Sequence, residues 1–357
     1  MKINVKPLIA DLLEPNPKIF WLDLLLSSAI GWGSLSCAIL IMNENLLAAI
    51  GLIFVSAACL FRGIVFQHEM VHIRRPWIKK FEVAWNLLIG FPFFIPAITY
   101  RSHLDHHRTK EYGTLRDPRY FFKGSQFRKA MLLPPLASPF AFFVISFRYL
   151  VLGPISLLAG GRFRKWVLTE FGLQKINFKY KAKKLDDAMR QSIFRSEIYC
   201  ITFWTTLIAL MSMRVISWYF VPAIATVSMV IFICNHFRAF GAHFYRSSGA
   251  TSMTFEQQLK DSISIVGPCP LSPLFGPVGL RFHSLHHLVP TLPYHSMRAA
   301  HNRLMKELPA DHPYRQTVRR DLITTLIEIW KLHDPKRDSV LGQSTAPAPR
   351  RKAAASH

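Results

Sequence analysis

The chain has 357 residues, half of them hydrophobic, 13% aromatic and only 18% charged, with the apolar residues gathered in long blocks. That pattern speaks against a soluble globule and for a multi-pass membrane protein with one water-facing region. The formal net charge is +23, from 44 Lys and Arg against 21 Asp and Glu. With no nucleic-acid motif present, the excess reads as basic cytoplasmic loops that also attract anionic lipids and acidic electron carriers, and nucleic acid is not an expected partner.

The opening segment, MKINVKPLIADLLEPNPK, carries acids and prolines and lacks the pattern of a cleaved signal peptide, so residues 1–18 are expected as a cytoplasmic segment. Two clean apolar runs follow, 19–42 and 46–66, separated only by Asn43, Glu44 and Asn45. They predict a first transmembrane hairpin over 19–66 with its turn on the far side of the membrane. The apolar run 199–235 is interrupted by Arg214. As one straight helix it would measure about 55 Å against a hydrocarbon core of about 30 Å, so it predicts a second hairpin over 198–235, with spans near 198–213 and 216–235.

Two other apolar stretches, 83–98 and 131–160, are broken by prolines, among them Pro92, Pro96, Pro134, Pro135, Pro139 and Pro154. Had 131–160 crossed alone, the segment 162–197 with its ten Lys and Arg would lie outside, against the positive-inside tendency. Both stretches are therefore expected to lie in the interface or to dip in and return, which makes 67–197 a cytoplasmic and interfacial region. Residues 236–334 are expected to form a cytoplasmic helical cap, and 335–357, which include the low-complexity run GQSTAPAPRRKAAASH, a disordered tail. The fold class is thus all-α and polytopic, with about four transmembrane helices. Cys37, Cys59, Cys200, Cys234 and Cys269 form no C-x-x-C pair or iron–sulfur spacing and are read as small buried hydrophobes.

The chemistry lies in three histidine boxes: HEMVH with His68 and His72, HLDHH with His103, His106 and His107, and HSLHH with His283, His286 and His287. On a helix, positions i, i+3 and i+4 share a face, so each box can aim its imidazoles at one place. These eight imidazoles exceed the needs of one tetrahedral zinc and suit two metal ions. All three boxes fall just beyond the membrane on the expected cytoplasmic face. HEMVH also matches the zinc-protease signature H-E-x-x-H, with Glu69 as general base, but that reading leaves six box histidines unexplained. A non-catalytic metal or haem carrier is a further alternative, although transporters hold their ligands inside the spans.

The boxes resemble those of the membrane fatty acid desaturase and hydroxylase superfamily, bacterial-type members in particular. HHRTKEYGTLRDPRY, NHFRAFGAHFY and GPVGLRFHSLHHLVPTLPYHSMRAAH extend the resemblance over roughly residues 50–315. It implies a non-haem diiron oxidase with two Fe2+ ions, dioxygen as cosubstrate and His243 as a ninth ligand. It also implies attack on a C–H bond of a fatty acyl chain, with desaturation expected first and hydroxylation or decarboxylation to a terminal alkene as alternatives at the same site. Unactivated C–H bonds yield to a strong oxidant made from dioxygen, which redox-inert zinc cannot supply. The chain has no Rossmann glycine fingerprint, haem motif or iron–sulfur cysteines. An external carrier is therefore expected, a ferredoxin or a b-type cytochrome with its reductase, at a bacterial inner membrane in preference to the endoplasmic reticulum. Glu69 and Asp105 are candidates for orienting a ligand's ring N–H. Arg101, Arg238 and Arg281 are candidates for a substrate carboxylate or phosphate, with lipid-phosphate contacts and helix capping as their competing roles. His236, His295, His301, His312 and His333 are expected to be structural.

Overall fold

The computed structural model describes residues 4–334 except 123–125, 183–184 and 268–271. The expected tail at 335–357, Cys269, Lys183 and Lys184 fall outside the described residues. The fold is all-α, with a single two-stranded parallel pairing of Ser264–Ile265 (β1) with Val318–Arg319 (β2) among the described residues.

Helices α1 (Pro17–Ile41) and α2 (Leu46–His72) form the first hairpin. Asn16 and Asn45 start them by accepting from the amides of Lys18 and Ala48, two of the donors that a helix N-terminus leaves unpaired. With 25 and 27 residues, each is longer than the hydrocarbon core is thick. Their outward faces expose Leu22, Leu25, Leu26, Leu47 and Phe54, as lipid contact demands. A half-buried charged pair joins them: Arg62 donates to both oxygens of Asp23 at 2.5 and 2.6 Å, and Tyr294 donates to the same carboxylate at 2.7 Å.

The Pro-broken stretch after α3 (Ile78–Trp85) enters the bundle and returns. Trp32, midway along α1, donates to the Leu88 carbonyl, and Trp204 to the Phe91 carbonyl. The chain is back beside the first box at Tyr100, whose ring centroid lies 5.1 Å from that of His103 in the short helix α4 (His103–His106).

After α5 (Phe127–Leu136), helix α6 (Ser138–Ala159) is long and apolar enough to cross a membrane. Five helices therefore meet that criterion among the described residues, where the apolar runs led us to expect about four spans. The extra one arises because the helix continues through Pro154 with a single wide turn at Arg148–Leu152. His72, at the end of α2, and His243 meet in one centre, so the chain between them returns to the side it left. That stretch holds three of the candidate spans, α6, α8 (Asp187–Ser212) and α9 (Phe220–Phe240). Three single crossings would separate the two histidines, so the three cannot all be single crossings unless the re-entrant stretch after α3 crosses as well. The carbonyl of Met131, just before α6, accepts from His236 at 2.9 Å, near the histidine end of α9. Arg148 donates to the Phe171 carbonyl at the end of α7 (Gly161–Phe171), and both Arg148 and Arg164 bind the buried Glu197 of α8 at 2.5 Å.

The cap comprises α10 (Phe255–Asp261), α11 (His283–Leu288), α12 (Met297–Glu307) and α13 (Leu322–Leu332). Residues 5–13 belong to it rather than trailing free: Val5 and Ile9 bury against Leu259, Phe282, Leu285 and Leu304, and Asp11 pairs with Arg303. Of the cysteines, Cys200 is buried as expected, Cys59 and Cys234 are half-buried, and Cys37 is exposed on the outer face of α1, where lipid contact serves the apolar thiol as well as a core would.

Candidate metal centre

The nine histidines singled out from the sequence converge on one place and divide into two groups. His68, His72, His103, His107 and His286 have ligand atoms all within 4.8 Å of one another, and so do His106, His243, His283 and His287. His68 and His72 sit one turn apart on the last turns of α2, His103 and His106 on α4 with His107 just after it, and His283, His286 and His287 on α11. His243 follows α9 in a short extended segment that bridges to Ser262. The HxxHH spacing therefore splits between groups: in the second box His103 and His107 serve one and His106 the other, and in the third His286 serves one and His283 and His287 the other.

Within each group the ring nitrogens face a common point. Nε2 of His107 lies 3.0 Å from Nε2 of both His103 and His286. Nε2 of His243 lies 3.2 Å from that of His106 and 2.9 Å from that of His283. Adjacent nitrogens around one ion, with metal–nitrogen bonds of about 2.1 Å, stand roughly 3 Å apart. Nε2 of His68 and Nε2 of His72 are buried with no hydrogen-bond partner, a cost that a metal ion removes. Burial, and after it the charge that neighbouring groups carry, holds His103, His107, His243, His283, His286 and His287 well below the ordinary imidazole range. They are therefore neutral, the form that coordinates metal. The donor set and its geometry fit two metal ions.

Three buried groups that the sequence reading did not single out hold the second group in place. His106 Nδ1 donates to Asp117, 2.9 Å from each carboxylate oxygen. Asp117 in turn accepts from the amides of Gly113 and Arg119, both at 2.9 Å. Gly113 makes that turn possible with φ +67°, the left-handed region that glycine enters without penalty. His243 Nδ1 lies 2.8 Å from the Tyr112 hydroxyl, which donates to Asp261 at 3.0 Å, and Tyr120 donates to the same carboxylate at 2.8 Å. Burial first and the Asp261 charge next raise Tyr112 well above the ordinary phenol range, so its proton stays on oxygen and points at Asp261. His243 must then donate from Nδ1, which frees Nε2 for a metal. Tyr112 and Asp117 were present in the quoted segment EYGTLRDPRY, whereas Asp261 lies in no quoted segment, and nothing local says which acid meets which ring.

The two acids chosen from the sequence for this task lie elsewhere. Glu69 is buried and accepts from the Tyr294 amide at 2.9 Å, while its other oxygen stays 3.8 Å from His68 Nδ1, beyond hydrogen-bond reach. Neighbours in sequence on a helix point about 100° apart, so Glu69 faces the third-box loop rather than the ring beside it. Asp105 pairs with Arg108 at 2.7 Å and accepts from Tyr180 at 2.9 Å, for the same reason. Of the three arginines, Arg238 lines a cavity together with five of the nine histidines. Arg281 lines a neighbouring groove, with its guanidinium 4.6 Å over the Phe282 ring, and Arg101 is exposed outside both. His236, His295, His301, His312 and His333 belong to neither group, and each has a partner elsewhere.

Residues 45–318 match the family described as Fatty acid desaturase. The chain belongs to that family. Over 336 residues, 91% of both chains, it is 32% identical to the ceramide hydroxylase of Caulobacter vibrioides (strain NA1000 / CB15N). The protein is therefore a multi-pass membrane oxidoreductase of the fatty acid desaturase and hydroxylase type, with two histidine groups able to hold metal.

Proposed function

We propose that this desaturase-family protein is a diiron lipid hydroxylase that inserts oxygen into a C–H bond of a ceramide-like, amide-linked long-chain lipid. The observation that carries the metal assignment is the division of nine converging histidines into groups of five and four. The preference for hydroxylation over the desaturation expected from the boxes rests on the hydroxylase relative, which covers nearly the whole chain. His68, His72, His103, His107 and His286 would hold one iron, and His106, His243, His283 and His287 the other. Two irons held there would supply the activation of dioxygen, one oxygen atom entering the C–H bond and the other leaving as water, with two electrons from an external carrier and two protons from solvent.

The chain's own residues orient and exclude. Asp117 and the Tyr112–Asp261 pair fix the tautomers of His106 and His243, so that both rings offer Nε2 inward. The aromatic packing of Tyr112, Tyr120, Phe240, Phe244 and Tyr245 keeps water from that side. The basic loops between the histidine boxes suit an acidic ferredoxin or a b-type cytochrome, and they favour a cytoplasmic face. The zinc-protease reading is weakened by Glu69, whose carboxylate is engaged by Tyr294 and does not stand where it could take a proton from a metal-bound water.

The test is expression in iron-replete cells that also make or are fed ceramide, with metal analysis of the purified protein and mass spectrometry of the lipids. Iron near two per chain with a hydroxylated ceramide is the expected result. A double bond without added oxygen would return the assignment to desaturation, and one zinc per chain would overturn the oxidase reading.

A further inference from the structure

Two cavities of opposite character share a wall at the candidate metal centre. The smaller, about 110 Å³, is bounded by five candidate ligands and by Gln67, Asn235, Arg119 and Arg238. The larger, about 570 Å³, is almost wholly apolar, with Phe237, Ile263, Leu322 and Leu326 among its walls. Arg238, Ala242 and Leu280 line both. The rim of the apolar groove carries exposed Leu274, Phe275 and Ile323, and Ile327 is exposed one turn further along α13. Exposed apolar side chains at spacing i, i+4 on an amphipathic helix mark a face that lies in the lipid interface, so the groove opens where a bilayer lipid can enter.

The polar cavity is short of hydrogen-bond acceptors. Arg119 lies with its guanidinium 4.3 Å over the Tyr100 ring, and its Nε and Nη2 are buried with no hydrogen-bond partner among the described residues. Arg238 has a side-chain acceptor in Asn235 Oδ1, at 2.8 and 3.2 Å, and neither arginine forms a salt bridge within 4.0 Å among the described pairs. Asp117, the acid nearest Arg119 in the chain, already receives His106 and two amides. Buried donors left unpaired are costly, and a ligand bearing acceptor oxygens removes the cost.

We propose that Arg119 and Arg238 receive the oxygen-bearing polar end of the lipid substrate while its chain lies in the apolar groove, so that the carbon presented to the metal centre is within the first few of that polar end. The inference rests on the lipid-oxidase reading above and adds the position of attack and the residues that set it. The shared chemistry is acceptor oxygen, which a neutral amide and hydroxyl head group or an anionic carboxylate or phosphate can supply.

The experiment uses the full-length protein in membranes with its iron content measured. The probes are a ceramide, a free fatty acid and a fatty acid methyl ester of equal chain length, and the oxidised carbon is located by tandem mass spectrometry. Oxidation close to the polar end is expected, with Arg119→Gln and Arg238→Gln each raising KM about tenfold to a hundredfold at unchanged iron content, and Arg238→Lys restoring part of the loss. Preference for ceramide identifies a neutral head group, and preference for the free acid an anionic one; either supports the assignment. Oxidation in the middle of the chain, or arginine variants that hold iron and keep the parent KM, would overturn it and leave the oxidase reading standing. Wild-type protein without iron and without an oxidised product on any probe would overturn both.

Discussion

The two histidine groups do the same task by different means. The five-histidine group draws two members from the end of a membrane-spanning helix, where backbone rigidity and the one-turn spacing of His68 and His72 aim the rings. Both nitrogens of His68, and Nδ1 of His103 and His286, have no hydrogen-bond partner among the described residues, a condition shared in the other group by His283 Nδ1. The four-histidine group takes His243 from an extended segment and His106 from the last position of a four-residue helix, neither of which holds a ring by itself. There Asp117, Tyr112 and Asp261 supply by hydrogen bonding the orientation that a long helix supplies for nothing. A metal site can be organised by its scaffold or by its outer partners, and here one centre uses both.

The comparison breaks most severely at a ligand in either group. His106→Ala and His286→Ala are expected to reduce product to background and to lower the iron content from about two per chain, as metal analysis of purified protein would register; two bound irons in either variant would remove that histidine from the set. Next in size is Asp117→Asn, expected to cost about 10–100-fold in activity and to loosen one iron only, which a chelator titration would resolve as one labile and one resistant population. Among the described residues no comparable acid backs the five-histidine group, so Glu69→Gln is expected to keep activity within a few-fold while losing some stability, because a weaker acceptor would face the Tyr294 amide. Abolished turnover with a normal iron content in Glu69→Gln would restore that carboxylate to the chemistry.

Tyr112→Phe separates orientation from packing. It removes one hydroxyl and leaves the ring, and it takes a donor from Asp261 and an acceptor from His243 Nδ1. We expect about 1–3 kcal/mol lost in thermal unfolding and a fall in activity of roughly tenfold, smaller than at Asp117 because Tyr120 and the Arg246 amide still serve Asp261. The smallest effect is expected at Asp105→Asn. Its partners Arg108 and Tyr180 lie outside the centre, so activity should stay within about twofold in the same product assay.

Local pattern carried the candidate membrane helices and the box histidines that the structure brings together. The length of 19–42 and 46–66 against bilayer thickness, the interruption at Arg214, and three boxes at helical spacing are properties of short windows, and a sequence displays them directly. The helical continuity of 138–159 escaped because prolines and a buried arginine look like breaks, and only the pairing of Arg148 with Glu197 of α8 shows what compensates the charge. Likewise the choice of Glu69 and Asp105 followed closeness in the chain, whereas orientation on a helix sends adjacent residues to different neighbours. Asp117, Tyr112 and Asp261 were in view as letters, but Asp117 reaches His106 only through the turn at Gly113, and Tyr112 meets His243 and Asp261 only when segments more than a hundred residues apart close onto one another.

The sequence by itself therefore determined that this is a helical membrane protein with eight box imidazoles available to metal, because hydrophobic length and helical period are local quantities, and the ninth, His243, came only from the resemblance. Tertiary structure alone decided which imidazoles stand together as five and four, which acids steady them, that 138–159 runs on as one long helix, and that a polar cavity with Arg119 adjoins the centre. Those are facts of long-range packing, where the partner of each side chain is chosen by the closing of the whole bundle rather than by its neighbours along the chain.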